Sequence, residues 1–192
     1  GRYATYCGSS PFLSPATLML IAHVEQDGVW MVDGGMHALA QAFAKAAESK
    51  GAQIKYGAHV QKITRVAKGF VVETAQGEVF HADKIVFNGD ANALARGFLG
   101  DELRGGAPST SINQRSLSAV TCTIKTRTQG FPLIRHNVFF SNAYEREFGE
   151  VSTGDMISDP TVYVCAQDRG DDDRVRSEAE RLLILINAPA RG

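Results

Sequence analysis

GVWMVDGGMHALAQAFAKAAESKGAQIKYGAHVQKI, residues 28–63, decides how the rest of the chain is read. It places a short apolar run, Val29 to Val32, before Asp33-Gly34-Gly35. A helix follows from Met36 to Lys50. Its apolar positions Met36, Leu39, Phe43 and Ala47 fall at helical spacing. Alanine-rich composition favours that helix, and Gly51 stands where a C′ glycine ends it. A short strand, Gln53 to Tyr56, and a second, His59 to Val66, come next. Glycines at a helix start let a ligand approach the backbone, and the free N–H groups there favour an anion. The same pair also serves as an ordinary turn, and no complete GxGxxG accompanies it.

Working outward, Phe70 to Thr74 and Val79 to His81 complete an antiparallel meander, with turns at Lys68-Gly69 and Gln76-Gly77. Lys84 to Phe87 reads as a further strand ending at Asn88-Gly89-Asp90, with a helix from Ala91 to about Leu99. Gly100 to Ser111 has loop composition. Beyond it, Leu117 to Thr126, Val138 to Phe140, Thr161 to Ala166 and Leu182 to Asn187 read as strands, and Tyr144 to Phe148 as a helical turn or two. Near the start, Pro15 suits the first turn of a helix through Val24, with Ser14 as N-cap. That helix is apolar on most sides, so it is expected to be buried, with contact to a membrane surface as the alternative.

Composition sets outer limits. The chain has 192 residues, 44% hydrophobic and 21% charged, with a net charge of −1. This is ordinary for a globular chain and argues against a nucleic-acid partner. Cys7, Cys122 and Cys165 are widely spaced and form no CxxC, so they are expected to be small buried hydrophobes in a reducing compartment. His23, His37, His59, His81 and His136 lack metal spacing, and no metal site is expected. Asp168 to Asp173 does not match a calcium loop. With Arg169, Arg174 and Arg176 it reads as an ion-paired surface segment. The chain starts mid-pattern and stops just after a strand, which suggests a piece of a longer protein.

Several words in order carry a resemblance: RYATYCGSSPFLSPATL (2–18), the opening stretch, ADKIVFNGDANALARGFLG (82–100), RSLSAVTCTIKTR (115–127), HNVFFS (136–141) and LLILINAPARG (182–192). They resemble the bacterial carotenoid desaturases of the FAD-dependent amine oxidase and phytoene desaturase superfamily. The likeness is strongest to the branch acting on hydroxylated or methoxylated acyclic carotenes, the hydroxyneurosporene (methoxyneurosporene) desaturases. It runs over nearly the whole chain but covers only a central part of the family's length.

The resemblance implies an α+β fragment of an FAD/NAD(P)-binding amine-oxidase-like fold, an α/β FAD-domain portion with a mixed or antiparallel β substrate domain. Residues 1–28 would belong to the substrate domain, 29–63 to the FAD domain and 64–83 to a β-meander. Residues 84–105 would return to the FAD domain, and 106–192 to the substrate domain. FAD would be the cofactor of the full-length protein, held weakly or not at all by this piece. Val60 would meet the adenine through its backbone, with Gly34 and Gly35 beside the flavin-facing cavity. The substrate would be a long apolar carotenoid, desaturated at the 3,4-position.

A polyene needs a dry, aromatic-lined channel. Candidate walls are Trp30, Tyr3, Tyr6, Phe12, Phe139 and Phe140, each of which also suits an ordinary core. His136-Asn137 is either a strand-edge feature or a polar pair near the channel mouth. No catalytic residue or proton acceptor can be named; Glu25 is close to the Gly-Gly loop in sequence, which also suits a surface carboxylate. The alternatives are a non-catalytic isoprenoid-binding flavin-fold domain, or a carotenoid isomerase or saturase of the same superfamily. The expected location is the cytoplasm, with peripheral contact at the inner face of the cell membrane possible, and exposed apolar patches would favour oligomers.

Overall fold

The computed structural model describes residues 3–7, 10–111, 114–170, 172, 174–175 and 178–190. In chain order the helices are α1 (Tyr3–Tyr6), α2 (Met19–Gln26), α3 (Gly35–Glu48), α4 (Ala91–Ala95) and α5 (Tyr144–Thr153). The strands are β1 (Val60–Arg65), β2 (Phe70–Thr74), β3 (Val79–Ala82), β4 (Ser118–Thr126), β5 (His136–Phe139), β6 (Val162–Ala166) and β7 (Glu180–Ala188). Two compact units result. One holds residues 1–21 and 111–192, the other residues 22–110, and the division falls inside α2.

The second unit carries the meander. β1, β2 and β3 pair antiparallel in that order, with Val72 facing both Ile63 and Phe80. The hairpin glycines take left-handed backbone, φ +87° at Gly69 and +80° at Gly77, as the turn chemistry requires. A shift of register between Val60 and Lys62 marks a bulge. The outer edge of β1 is closed further along by Ile63 N–H donating to Leu99 O at 2.8 Å and Arg65 N–H donating to Glu102 Oε2 at 3.1 Å. Glu102 sits in a 3-10 helix over Asp101–Gly106, where the sequence reads as loop. Asp90 caps α4 by accepting from Asn92 N–H at 2.9 Å.

The two hairpin glycines separate backbone strain from crowding. A Cβ at Gly77 meets nothing within 4 Å, whereas one at Gly69 stands 2.3 Å from Ala82 O. Gly77→Ala is therefore expected to cost about 1–2 kcal/mol, the left-handed penalty alone. Gly69→Ala adds overpacking against backbone and is expected to cost about 3 kcal/mol or more. Urea denaturation of the two variants, side by side, reads the difference.

Two expected strands do not form. Gln53 to Tyr56 and Lys84 to Phe87 carry no ladder, the short run Val29 to Val32 carries none either, and Trp30 is 84% and Val86 95% exposed. An apolar β-branched run states that it wants burial between neighbours, not which neighbours, and a strand exists only through its ladder. These are the runs the resemblance assigns to the FAD-domain sheet. The expected burial of the helix after Pro15 is also overturned. A 3-10 turn, Ala16–Leu18, leads into α2, and Met19, Leu20 and Val24 are all exposed. Ser14 does not cap it, since its hydroxyl donates to Ser10 O at 2.7 Å. Cys7 and Cys122 are exposed and only Cys165 is buried, against the expectation for all three.

The first unit is built on a four-stranded antiparallel sheet in the order β4-β7-β6-β5. β7 is central and apolar, facing β4 from Ser118↔Ala188 to Thr126↔Glu180 and β6 from Tyr163↔Leu185 to Ala166↔Leu182. Val164, Ala166 and Leu182 form the buried cluster, flanked by Leu133, Val162 and Ile184. α5 buries Phe148 and Val151 together with Glu147. The Glu147 carboxylate accepts from Thr161 N–H at 3.0 Å and from Asn187 Nδ2 at 2.9 Å, which ties the helix to β7 and to the residue that leads into β6.

The acidic stretch after β6 is not wholly a surface segment. Asp168 pairs with Arg181 at the surface, as its composition suggests, and that guanidinium holds the Asp168 carboxyl below its usual range. Arg169, however, is buried. Its Nε donates to Glu180 Oε2 at 2.8 Å, and its Nη2 donates to Glu180 Oε1 at 2.7 Å and Thr128 Oγ1 at 3.1 Å. Asp171, Asp173 and Arg176 lie outside the described residues. His136-Asn137 is a strand-edge feature. Asn137 is buried, its Oδ1 accepting from Ile134 N–H and its Nδ2 donating to Ile134 O and Val164 O. His136 Nδ1 lies 2.7 Å from the Tyr163 hydroxyl.

Candidate functional site

The glycine pair sits at the start of α3, with Gly34 as N-cap at φ +80°, ψ 0° and Gly35 also at φ +80°. Gly35 N–H donates back to Val32 O at 2.9 Å, which turns the extended run into the helix. A Cβ at Gly34 would stand 3.1 Å from Ala38 Cβ, while one at Gly35 would meet nothing within 4 Å. The helix therefore opens onto unobstructed space at Gly35. Its first turn holds no acidic side chain, and its leading N–H groups lack intrahelical acceptors. Backbone exposed in this way lets a ligand come close to the start of α3. Val60 opens β1 immediately before the bulge, half-buried, in the same unit.

Aromatic residues gather in the first unit. Tyr144 is the hub. Its ring meets Phe12 edge-on at 6.2 Å between centroids, and Phe140 and Phe148 each at 5.2 Å. The spacing follows from α5, where residues four apart share a face. A cleft of about 420 Å³ opens beside the cluster, walled by Phe12, Leu13, Leu117, Phe148 and Val151, with Ser10, Glu145 and Ser152 as its polar lining. Apolar walls with few polar groups suit a hydrophobic ligand. Among the described residues no group of His, Cys, Asp and Glu is placed to hold a metal ion.

Of the channel candidates, Phe12 and Phe140 join this cluster. Phe139 turns the other way, packing edge-on to Phe131 at 5.2 Å, as neighbours along an extended chain must. Tyr3 is exposed, and the side chain of Tyr6 lies outside the described residues. Trp30 is exposed and lies over Gly28, where an added Cβ would come 3.0 Å from the indole. Gly34, Gly35 and Val60 belong to the second unit. Tyr144, Phe148 and Val151 were missed in the sequence. Their helical spacing is visible there once the helix is carried beyond Phe148 to Thr153.

The second unit thus presents a glycine-opened helix and an antiparallel meander, and the first an aromatic-walled cleft. The family model for flavin containing amine oxidoreductases matches residues 16–133, and the chain belongs to that family. Within it, the chain is 51% identical over its full length to a hydroxyneurosporene desaturase of Rubrivivax gelatinosus. It is 44% identical over 98% of its length to a hydroxyneurosporene desaturase of Cereibacter sphaeroides. A 1-hydroxycarotenoid 3,4-desaturase of Flavobacterium sp. is 29% identical over 98% of the chain. The chain spans 37% of the length of the first of these relatives and 38% of the others.

Proposed function

We propose that the chain is part of a longer FAD-dependent oxidoreductase that desaturates acyclic carotenoids, forming the 3,4 double bond of a hydroxy- or methoxycarotenoid. The observation that carries this reading is the end-to-end similarity to two hydroxyneurosporene desaturases. Bound FAD would supply a two-electron acceptor for the hydride that the polyene loses, with a proton lost from the neighbouring carbon. Gly34 and Gly35 let the cofactor approach the backbone at the start of α3. The bulge beside Val60 interrupts the ladder there, which suits a strand whose backbone meets an adenine edge.

Phe12, Phe140, Tyr144 and Phe148 offer the polyene an apolar wall. Such a face works by alignment, holding the reacting carbons in one place. The enzyme would act from the cytoplasm, touching the inner face of the membrane peripherally. The exposed apolar residues of α2 support that contact, and no described helix is long and apolar enough to cross a bilayer.

The chain alone holds only part of the cofactor site in this reading. Titrated with FAD, it is expected to leave flavin fluorescence essentially unchanged at concentrations of about 10 μM, a binding free energy weaker than about −7 kcal/mol. Tight one-to-one binding by the 192 residues would contradict the shared site. A flavin-loaded protein containing this chain is expected to convert 1-hydroxy acyclic carotenoids to products with one more conjugated double bond. Unchanged carotenoid in that assay sinks the activity.

A further inference from the structure

α5 carries two kinds of side chain in order around its axis. At about 100° per residue, Glu150 and Glu147 stand on one flank, Val151, Tyr144 and Phe148 in the middle, and Ser152 on the other. Phe148, Val151 and Ser152 wall the cleft, and Tyr144 gathers the aromatic cluster beside it. The carboxylate flank grips the rest of the first unit. Glu147 Oε2 accepts from Thr161 N–H at 3.0 Å, and its Oε1 accepts from Asn187 Nδ2 at 2.9 Å. Glu150, one turn on, accepts from the Ser158 N–H at 2.8 Å and the Ser158 hydroxyl at 2.7 Å.

Glu147 is the deeper of the two grips. It is 1% exposed, and its partners Thr161 and Asn187 are buried with it. Among the described residues no basic side chain forms an ion pair with Glu147. Two directional hydrogen bonds hold it instead, one to each oxygen, from two separate segments of the chain. Two anchor points fix the roll of a helix about its axis where one leaves it free to turn. A buried donor left without its acceptor is costly, so the grip does not slip easily.

We propose that Glu147 is a positioning residue for the desaturation. By binding Thr161 and Asn187 together it sets the roll and depth of α5, and with them the place of Tyr144 and Phe148 against the polyene. This rests on the reading of the cleft as a wall of the carotenoid site. Glu147 itself does not line the cleft and acts through its helix neighbours.

The flavin-loaded protein that carries this chain tests the grip by reversing it. Asn187→Asp removes the donor and sets a second carboxylate against the first. It is expected to lower kcat/KM for a 1-hydroxy acyclic carotenoid about tenfold, chiefly through KM, as displaced positioning groups do. Glu147→Gln keeps the shape but turns one acceptor into a donor that faces a donor. It is expected to raise KM about threefold with flavin content unchanged. In the double variant the new amide donates to the new carboxylate while its carbonyl still accepts from Thr161 N–H, and the pocket again holds one carboxylate. KM is expected to return to within about twofold of the unaltered protein.

Thermal unfolding and flavin absorbance show that each protein compared is folded and loaded. Should Asn187→Asp fail to fold, Glu147→Gln and the double variant alone decide the matter. Single variants that are folded and loaded yet keep the unaltered KM overturn the proposal while leaving the cleft as the carotenoid site. So does a double variant that regains stability but not KM. An unaltered protein that consumes no carotenoid overturns the reading of the cleft, and the proposal with it.

Discussion

Glu180→Ala is expected to lower the stability of the first unit by about 3–5 kcal/mol, the usual result of stranding one member of a buried ion pair. Glu180 is fully buried, and both its carboxylate oxygens accept from the Arg169 guanidinium. That guanidinium also reaches Thr128 and Leu133 O, so the pair joins the end of β7, the turn after β6 and the segment leading to β5. Removing the carboxylate takes away the acceptor that binds both the Nε and the Nη2 of the buried guanidinium. Urea unfolding measures the loss. A change under about 1 kcal/mol would mean that water already reaches the pair.

The double replacement Arg169→Met with Glu180→Leu is expected to recover part of that loss, since apolar substitutes often match a buried pair. Recovery stays partial because Leu133 O and Thr128 lose their donor.

Acid probes the same pair. Hydrogen bonds from Arg169 hold the Glu180 carboxyl below its ordinary value of 4.5. A depressed carboxylate contributes its full stability above that ordinary value, and the contribution is lost as pH falls through the folded-state value. Asp168, held down by Arg181, and Glu150, held down by Ser158, shift in the same direction. Stability is therefore expected to be level through neutral pH and to fall below about pH 4.5. Glu180→Gln should flatten part of that fall.

Phe148→Ala is the second large effect. Phe148 is buried, stacks edge-on with Tyr144 and walls the aromatic cleft. Its loss is expected to cost about 3–5 kcal/mol, from the transfer term and the cavity left behind. Phe148→Leu retains most of the volume and should cost far less. The functional consequence separates from the structural one in the protein that carries this chain. There Phe148→Leu is expected to keep the fold yet weaken polyene binding, seen as a raised KM for the carotenoid with flavin content unchanged. An equal KM for both proteins would remove the cleft from the substrate path while leaving the stability argument intact.

The second unit's meander was legible because its signals are local. Gly69 and Gly77 fix the hairpins, and the strand runs between them are short and β-branched. α3 was legible for the same reason, with Gly34-Gly35 before it and Gly51 after it. The order β4-β7-β6-β5 could not be read, because the partners lie far apart in sequence and nothing local names them. Lys84 to Phe87 shows the converse error, in which an apolar run is real but its ladder is not among the described residues. Arg169 was hidden by the acidic residues around it, since composition averages over a segment in which one side chain turns inward. Phe12 and Phe140 were singled out in the sequence as aromatic candidates, and the structure gathers them around Tyr144. Tyr144, which gathers them, was passed over because its helix was drawn too short.

The discontinuous make-up of the first unit has a consequence for how the chain emerges from the ribosome. β1, β2 and β3 are neighbours in sequence and can pair as soon as residue 82 is out, each hairpin closing a short loop. β4 is made long before β7, its partner, which comes only at residues 180–188. Until then an apolar, exposed strand waits in a nascent polypeptide, and a chaperone that shields Val120 to Ile124 would protect it over that interval.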